Sequence, residues 1–180
     1  QLLPGKRSDQ GLAQQVVLPL RENQLQLQDK GFFSAAAWQK ASAHKAFLLC
    51  PLPHAVSLWQ SGPTGSLLRL DLVQELAASP QGQVQWDQLY CGHHAHRFGP
   101  VRVVAFRLSP ESAGRQRAGL RESQRKQGRT PTACALELAG WLILVTNAPA
   151  AKLPSPMLSY LYRLRWQIEL IFRQCKWVLR

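Results

Sequence analysis

The chain has 180 residues, 46% of them hydrophobic, which is enough for one sizeable core in one domain, or in one domain that carries an insertion. Twenty-two Lys and Arg residues against ten Asp and Glu give a formal net charge of +12, which favours nucleic acid as partner over a membrane surface or an acidic protein. This composition excludes a chain that is disordered throughout, and no apolar run reaches the ~18 residues of a membrane span.

The spacing of the cysteines and the sequence at the two chain ends bear on the cellular compartment and on the extent of the protein. The four cysteines lie about forty residues apart without a C-x-x-C pair, so neither a zinc ribbon nor a redox motif is indicated and a reducing cytoplasm fits best. The amino end lacks the apolar stretch of a signal peptide. Because the single Met is Met157 and no stop signal precedes Arg180, we expect both ends to be cuts in a longer protein.

The first third of the chain predicts a β-α-β arrangement. After a loop and a short helical stretch within residues 1–23, Leu25 to Gln28 alternates apolar and polar residues as a half-buried strand does. A helix is predicted from Phe32 to Lys45 and an apolar strand from Ala46 to Leu52. Asp29 ends the first strand and precedes a glycine, at a position where sheet enzymes commonly place catalytic groups.

The residue pattern changes in the middle of the chain. Short alternating runs separated by Gly, Pro and Ser predict an antiparallel, β-rich insertion over residues 54–140, with strands at Ser66–Leu72, Gln83–Tyr90 and Pro100–Leu108. The Arg- and Gln-rich segment after Pro110 is either an exposed helix or a mobile arm. A strand from Trp141 to Thr146 and a helix from Pro154 to Arg180 complete the chain.

The last helix carries a polar stripe beside an apolar one. At about 100° per residue, its polar side chains fall within roughly 60° of one another; they are Tyr162, Arg165, Glu169 and Lys176. Glu169 is an oxygen ligand suited to Mg²⁺, and the two cations and the phenol can hold a phosphate backbone. An ordinary i,i+4 salt bridge between Arg165 and Glu169 explains part of the same pattern. The neighbouring stripe, predicted to be core, consists of Leu161, Ile168, Phe172, Cys175 and Leu179.

The spacing Y-x2-R-x3-E-x6-K resembles the signature of the DDE transposases of the insertion sequence 4 family, and the blocks LYRLRWQIELIF and LVTNAP are similar to that family's sequence around its catalytic Glu. The segment LQLQDKGFFS resembles the block that holds the second catalytic Asp, although a turn that caps a helix start would also explain it. The resemblance makes Asp29 and Glu169 catalytic residues and metal ligands, with Tyr162, Arg165 and Lys176 contacting DNA.

The resemblance implies an α/β, RNase H-like (retroviral-integrase-like) core. Residues 1–53 and 141–180 would belong to that core, and residues 54–140 would be the β-rich insertion with its basic arm. Such a core uses Mg²⁺, which Mn²⁺ can replace, for two-metal cleavage and strand transfer of DNA. The partners would be the terminal inverted repeats of a transposon and a second copy of the enzyme in the synaptic complex. The resemblance also implies a bacterial cytoplasmic protein that is associated with the nucleoid.

The first catalytic Asp of the family has no match, since Asp9 lies in the loop-like PGKRSDQ segment. We therefore expect the 180 residues alone to be inactive, and the enzyme to be the full-length transposase. Two alternatives stay open, namely a non-catalytic basic nucleic-acid-binding module and a decayed transposase remnant.

Further DNA contacts are expected from cations of the insertion and from Trp166, which lies beside the polar stripe. The cations are Arg97, Arg102, Arg107, Arg115, Arg117, Arg121, Arg125, Lys126 and Arg129, the last three being the strongest candidates; a solvated basic surface without a partner is equally compatible. Trp59, Trp86 and Trp141 are expected in the core. The cluster of Cys91, His93, His94 and His96 is interpreted as a hairpin near a turn, because a second pair of zinc ligands does not follow.

Overall fold

The computed structural model describes residues 20–93 and 96–178, and in its last helix the side chains of residue 166 and of residues 168–178 lie outside the description. The chain divides into two compact units, residues 1–50 with 146–180, and residues 51–145. The helical stretch predicted within residues 1–23 and Asp9 fall largely or wholly outside the described residues.

The described residues form a mixed α/β structure with seven strands. In chain order the elements are β1 (Leu25–Leu27), a 3-10 turn (Lys30–Phe32), α1 (Ala35–Ala43), β2 (Phe47–Pro51), β3 (Leu58–Ser61), β4 (Leu67–Arg69), α2 (Leu72–Ala78), β5 (Gln83–His93), β6 (His96–Arg107), α3 (Pro110–Lys126), α4 (Ala133–Leu138), β7 (Trp141–Thr146) and α5 (Ser155–Val178).

The first unit contains the predicted β-α-β arrangement. Strands β1 and β2 are parallel, with Leu25 beside Phe47 and Leu27 beside Leu49. Helix α1 begins later than predicted, because the Ser34 hydroxyl accepts a hydrogen bond from the Ala37 amide at 3.2 Å and so caps the helix at its first turn. The residues between Asp29 and Ser34 form the separate 3-10 turn instead.

The core of this unit lies between the strands and two helices. Trp38 of α1 is 2% exposed, and Leu48 and Leu49 of β2 and Leu158 of α5 are fully buried. Helix α5 also contacts β1. Its observed bounds agree with the helix predicted from Pro154, and these contacts bring the amino-terminal half of α5 to the end of β1.

The side chain of Asn147 forms hydrogen bonds with the backbone at the start of β2. Its Oδ1 accepts a hydrogen bond from the Leu48 amide at 2.8 Å, and its Nδ2 donates to the Ala46 carbonyl at 2.9 Å. One side chain thus satisfies two backbone groups far from it in sequence, as a neighbouring strand would.

The second unit is built on antiparallel strands, as predicted. Strand β5 pairs with β6 on one side and β3 on the other, and β4 pairs with β3; β7 lies beside β6. Strand β5 ends at His93, three residues beyond the predicted end at Tyr90, and its pairing with β6 is irregular between Trp86 and Leu89. Gln88 there has a φ of 57°, so this β-bulge absorbs a residue and the strand resumes.

A hairpin joins β5 to β6, as expected for the segment rich in Cys and His. Cys91 pairs with Phe98 and His93 with His96; His94 lies outside the described residues. Gly92 has a φ of +125°, and a Cβ on it would lie 2.2 Å from the His96 carbonyl oxygen. Only glycine fits this position, because the partner strand leaves no room for a side chain.

Three helices complete the second unit. The Arg- and Gln-rich segment is the helix α3, with Ala113 as its one buried residue. Helices α2 and α4 were not anticipated, although each begins at a capping side chain, Asp71 and Thr132 respectively. None of the helices in the described part of the chain is long and apolar enough to cross a membrane.

Candidate active site

Asp29 lies two residues after the end of β1 at Leu27, close to the strand end where the sequence predicts it. Its Oδ1 accepts a hydrogen bond from the Lys30 amide at 2.7 Å, so the carboxylate caps the 3-10 turn. The capping interpretation is therefore correct as a description of this side chain. Half of the side chain is exposed (50%), and within the described residues Oδ2 accepts no hydrogen bond.

Arg165 of α5 reaches the same carboxylate. The Arg165 Nη2 lies 3.7 Å from Asp29 Oδ1, and only 16% of the arginine side chain is exposed. The ion pair joins two segments more than one hundred residues apart in sequence. The i,i+4 bridge to Glu169 stays a prediction, because the side chain of Glu169 lies outside the described residues.

Tyr162 positions Arg165 from the preceding turn of the helix. The guanidinium carbon lies 5.1 Å from the centre of the tyrosine ring, and Nη2 donates to the tyrosine hydroxyl at 3.4 Å. Burial raises the pKa of Tyr162, although the hydrogen bond from Arg165 opposes that shift. The phenol is therefore protonated at neutral pH, and the ring holds the guanidinium by a cation–π contact.

Two residues of this cluster were not anticipated. The Cys50 thiol donates to the Asp29 backbone carbonyl at 3.4 Å, and burial, reinforced by the Asp29 charge, raises its pKa to about 12. Lys30 lies next to Asp29, and partial burial lowers its pKa more than the carboxylate raises it, although the residue keeps an exposed surface. The parallel pairing of β1 and β2 could have indicated Cys50, since that register places it beside the end of β1.

The remaining residues predicted for this helix are only partly described. Glu169, Lys176 and Trp166 lie within α5, but their side chains are outside the described residues. The same holds for the predicted core positions Ile168, Phe172 and Cys175, and Leu179 follows the last described residue. The structure thus brings together Asp29, Tyr162 and Arg165, whereas a meeting of Asp29 with Glu169 remains a prediction.

The cations of the second unit fall into two groups, and the expectation that all nine track phosphates is wrong for at least one of them. Arg102 is 4% exposed, so its guanidinium is not at the surface. Arg97 and Arg107 stack on Trp59 and Trp141, at 4.2 and 4.5 Å from the ring centres. These arginines pack against the fold, because their planar groups cover aromatic rings.

The exposed group lies along helix α3 and just after it. Arg125 and Lys126 pair with Glu122 at 2.9 and 3.6 Å, and Arg115 pairs with Glu111 at 3.4 Å. Arg121 and Arg129 are exposed as well, whereas Arg117 is half-buried and donates to the Leu136 carbonyl at 3.0 Å. Arg125, Lys126 and Arg129 therefore remain accessible to a polyanion.

The expected core tryptophans are largely confirmed. Trp59 is 7% and Trp141 8% exposed, while Trp86 is half-buried. The Trp59 indole donates to the Gly92 carbonyl at 2.8 Å, which ties β3 to the hairpin. Across residues 20–93 and 96–178, as far as their side chains are described, no three His, Cys, Asp or Glu residues cluster as a metal site.

Comparison with known proteins decides the family. The family model described as "Transposase DDE domain" matches residues 1–180, the whole chain. The chain belongs to this family. Among curated relatives of this transposase-family chain, the transposase for insertion sequence element IS231F from Bacillus thuringiensis subsp. israelensis is 24% identical over 98% of the chain.

Two other relatives support the assignment to insertion-sequence transposases. The transposase for IS231D from Bacillus thuringiensis subsp. finitimus is 25% identical over 98% of the chain. The putative transposase InsL for IS186A from Escherichia coli (strain K12) is 39% identical over 43% of the chain and 21% of its own length. The chain spans 39% of the length of the two IS231 relatives. No solved structure matches the chain.

Proposed function

We propose that this chain is part of the catalytic domain of an insertion-sequence transposase that cleaves DNA and transfers its strands in cut-and-paste transposition. In this proposal residues 1–53 and 141–180 belong to an RNase H-like core, and residues 54–140 form its insertion. Membership of the DDE family supports the activity. The family position proposed is the insertion sequence 4 group, through the Y-R-E-K spacing of α5.

One observation carries the proposal for this site, namely the ion pair between Arg165 and Asp29. The two residues were assigned to one active site from separate sequence blocks. Residue 169 follows Arg165 by four positions, which corresponds to about 6 Å along a helix and about 40° around it. This helix geometry supports the proposal that Glu169 belongs to the same site as Arg165.

Asp29 has the chemistry of a Mg²⁺ or Mn²⁺ ligand. Its carboxylate supplies hard oxygen, its side chain is half exposed, and within the described residues Oδ2 is not used by a hydrogen bond. One carboxylate is too few for a tight site, so Glu169 is proposed as a second ligand. Bound divalent ions in such sites activate an attacking oxygen and stabilise a leaving oxygen.

The protein's own groups would hold the DNA. Arg165 can donate two parallel hydrogen bonds to a phosphate, and Tyr162 can donate through its hydroxyl. Lys176 and Trp166 are proposed to contact DNA further along α5. Arg125, Lys126 and Arg129 are proposed to contact the phosphates of terminal inverted repeats, with two copies of the transposase pairing the two ends.

A Mn²⁺ titration tests the metal assignment. We expect the chain to bind Mn²⁺, monitored by the electron paramagnetic resonance signal of free Mn²⁺, and Asp29→Asn or Glu169→Gln to weaken binding about tenfold or more. The matched controls are Asp87→Asn and Glu137→Gln, which remove exposed acids of the second unit. Equal Mn²⁺ affinity in all five proteins would remove the proposed site.

A second candidate function is that of a nucleic-acid-binding module whose acids are structural. The exposed cations of helix α3 favour it, because they bind phosphate without any metal. The same titration separates the two hypotheses. A binding module would retain salt-dependent DNA binding but show no Mn²⁺ binding that depends on Asp29 and Glu169.

A further inference from the structure

The tip of the hairpin between β5 and β6 carries two exposed histidines. His93 is the last residue of β5 and His96 the first of β6, and the two are opposite each other in the pairing of the strands. Residues directly opposite in an antiparallel pair project from the same face, with Cβ atoms about 5 Å apart. The hairpin therefore presents two imidazoles side by side at the protein surface.

The backbone beneath these histidines is held in place on both strands. Beyond Cys91 the strands pair without a further register shift. Gly92 packs so closely against the His96 carbonyl that a side chain would not fit there, and its own carbonyl accepts the hydrogen bond from the Trp59 indole at 2.8 Å. Two ligands on such a fixed element lose little conformational freedom when both bind one ion.

The adjacent arginine projects from the other face of the hairpin. Arg97 follows His96, and successive side chains of a strand project to opposite faces. Its guanidinium stacks on Trp59, 4.2 Å from the ring centre. Among the residues that the structure describes, neither imidazole has a hydrogen bond or an ion pair. Both imidazoles are therefore available to a ligand, and the positive charge of Arg97 is directed away from them.

We propose that His93 and His96 form a two-imidazole site for a divalent transition-metal ion such as Ni²⁺, Cu²⁺ or Zn²⁺. Imidazole nitrogen suits these ions, whereas Mg²⁺ prefers oxygen ligands. Nitrogen atoms about 2.1 Å from one ion are within reach of side chains at this spacing. A structural zinc site needs four protein ligands, whereas here water would fill the remaining positions. The inference goes beyond the transposase function and does not depend on it.

The test is a titration of the full 180-residue chain with Ni²⁺, followed by isothermal titration calorimetry in the presence of excess Mg²⁺. We expect His93→Asn and His96→Asn each to weaken Ni²⁺ binding about tenfold or more, because each removes one of the two ligands. Omission of Mg²⁺ should leave the Ni²⁺ affinity unchanged, since Mg²⁺ does not compete for imidazole. Displacement of Ni²⁺ by Mg²⁺ would mean that oxygen ligands bind the ion and would overturn the proposal.

His44→Asn is the matched control, because it removes an exposed imidazole from the other unit. It should bind Ni²⁺ as the unsubstituted chain does. If His93→Asn and His96→Asn retain full affinity, or if His44→Asn loses as much as they do, the hairpin pair is not the site. His94 lies outside the described residues, so His94→Asn is measured alongside. Loss of Ni²⁺ binding in that variant alone would also refute the assignment to the pair.

Discussion

The end of β1 and the outer face of helix α3 use charged residues in opposite ways. At the end of β1, Asp29 meets an arginine from a distant segment, and the arginine is held by Tyr162. On α3, Glu122 meets Arg125 and Lys126 three and four residues away, with all three side chains largely exposed. Local exposed pairs form in any helix that carries the pattern. A pair between distant segments, such as that of Asp29 with the mostly buried Arg165, requires the tertiary fold.

This difference indicates different uses of charge. At the end of β1 the ion pair holds side chains in place, whereas the cations of α3 form a surface that can attract a partner. An exposed ion pair contributes about 0 to 1 kcal/mol, so the cations of α3 lose little when they exchange a glutamate for a phosphate. The pair between Arg165 and Asp29 is less exposed on the arginine side, with 16% of that side chain exposed, so it is less screened by solvent than the pairs of α3. The strand-end cluster is therefore defined by the fold, whereas the helix offers a general contact surface.

The largest expected effect concerns DNA binding by the exposed surface. Replacing Arg125, Lys126 and Arg129 together with Gln should weaken binding to a duplex about a hundredfold at moderate salt, and reduce the slope of log affinity against log salt by about 2 to 3. Fluorescence anisotropy over a range of NaCl concentrations measures both. The control replaces three exposed cations of the other unit, Arg21, Lys40 and Lys45. An equal loss in the control would mean that net charge alone binds DNA.

A second prediction concerns the distant contacts that hold the strand-end unit together. Asn147→Ala should lower the free energy of unfolding by about 1 to 3 kcal/mol, because the Leu48 amide and the Ala46 carbonyl lose their partner next to a buried strand. Urea denaturation measures the loss. Gln116→Ala, on the exposed face of α3, should change the value by less than about 0.5 kcal/mol. Equal values for the two variants would contradict the assigned role of Asn147.

The sequence predicts what local pattern determines. The alternation before Asp29, the apolar run Trp141–Thr146 and the long periodicity of α5 all appear as expected. The predicted helix from Phe32 divides, because Asp29 and Ser34 each cap a separate start and capping competes with helix continuation over short distances. The bulge at Gln88 and the partners of Asn147 depend on chain segments that meet only in the fold.

The same distinction applies to the candidate site. Asp29 and Arg165 were identified from their own sequence blocks, since each block has its own spacing. Their ion pair, the hydrogen bond from the Cys50 thiol to the Asp29 backbone carbonyl and the burial of Arg102 were not predictable from spacing. The burial of Arg102 depends on the segments that pack against its strand. A basic residue in an alternating strand gives no local sign of whether its side chain will be buried or exposed.

A pair of double-mutant cycles compares the two kinds of ion pair directly. For Asp29 and Arg165, replaced by Ala singly and together, we expect a coupling energy of about 1 to 2 kcal/mol, since the arginine is mostly buried. For Glu122 and Arg125 we expect about 0.5 kcal/mol or less. Urea denaturation of the variants supplies both values. A larger coupling for the helix pair would reverse the distinction drawn between the two regions.

The smallest expected effect follows from Glu122, the acid that pairs with two cations on the exposed face of α3. Glu122→Gln should change the free energy of unfolding by less than about 0.5 kcal/mol. It should also raise the affinity for duplex DNA about twofold, because Arg125 and Lys126 no longer have to leave a carboxylate before they bind phosphate. Glu137→Gln makes the same charge change at an exposed position of α4, and anisotropy should show a weaker gain there. If both variants gain equally, the glutamate affects DNA only through net charge, and the local pairing on α3 has no part in binding.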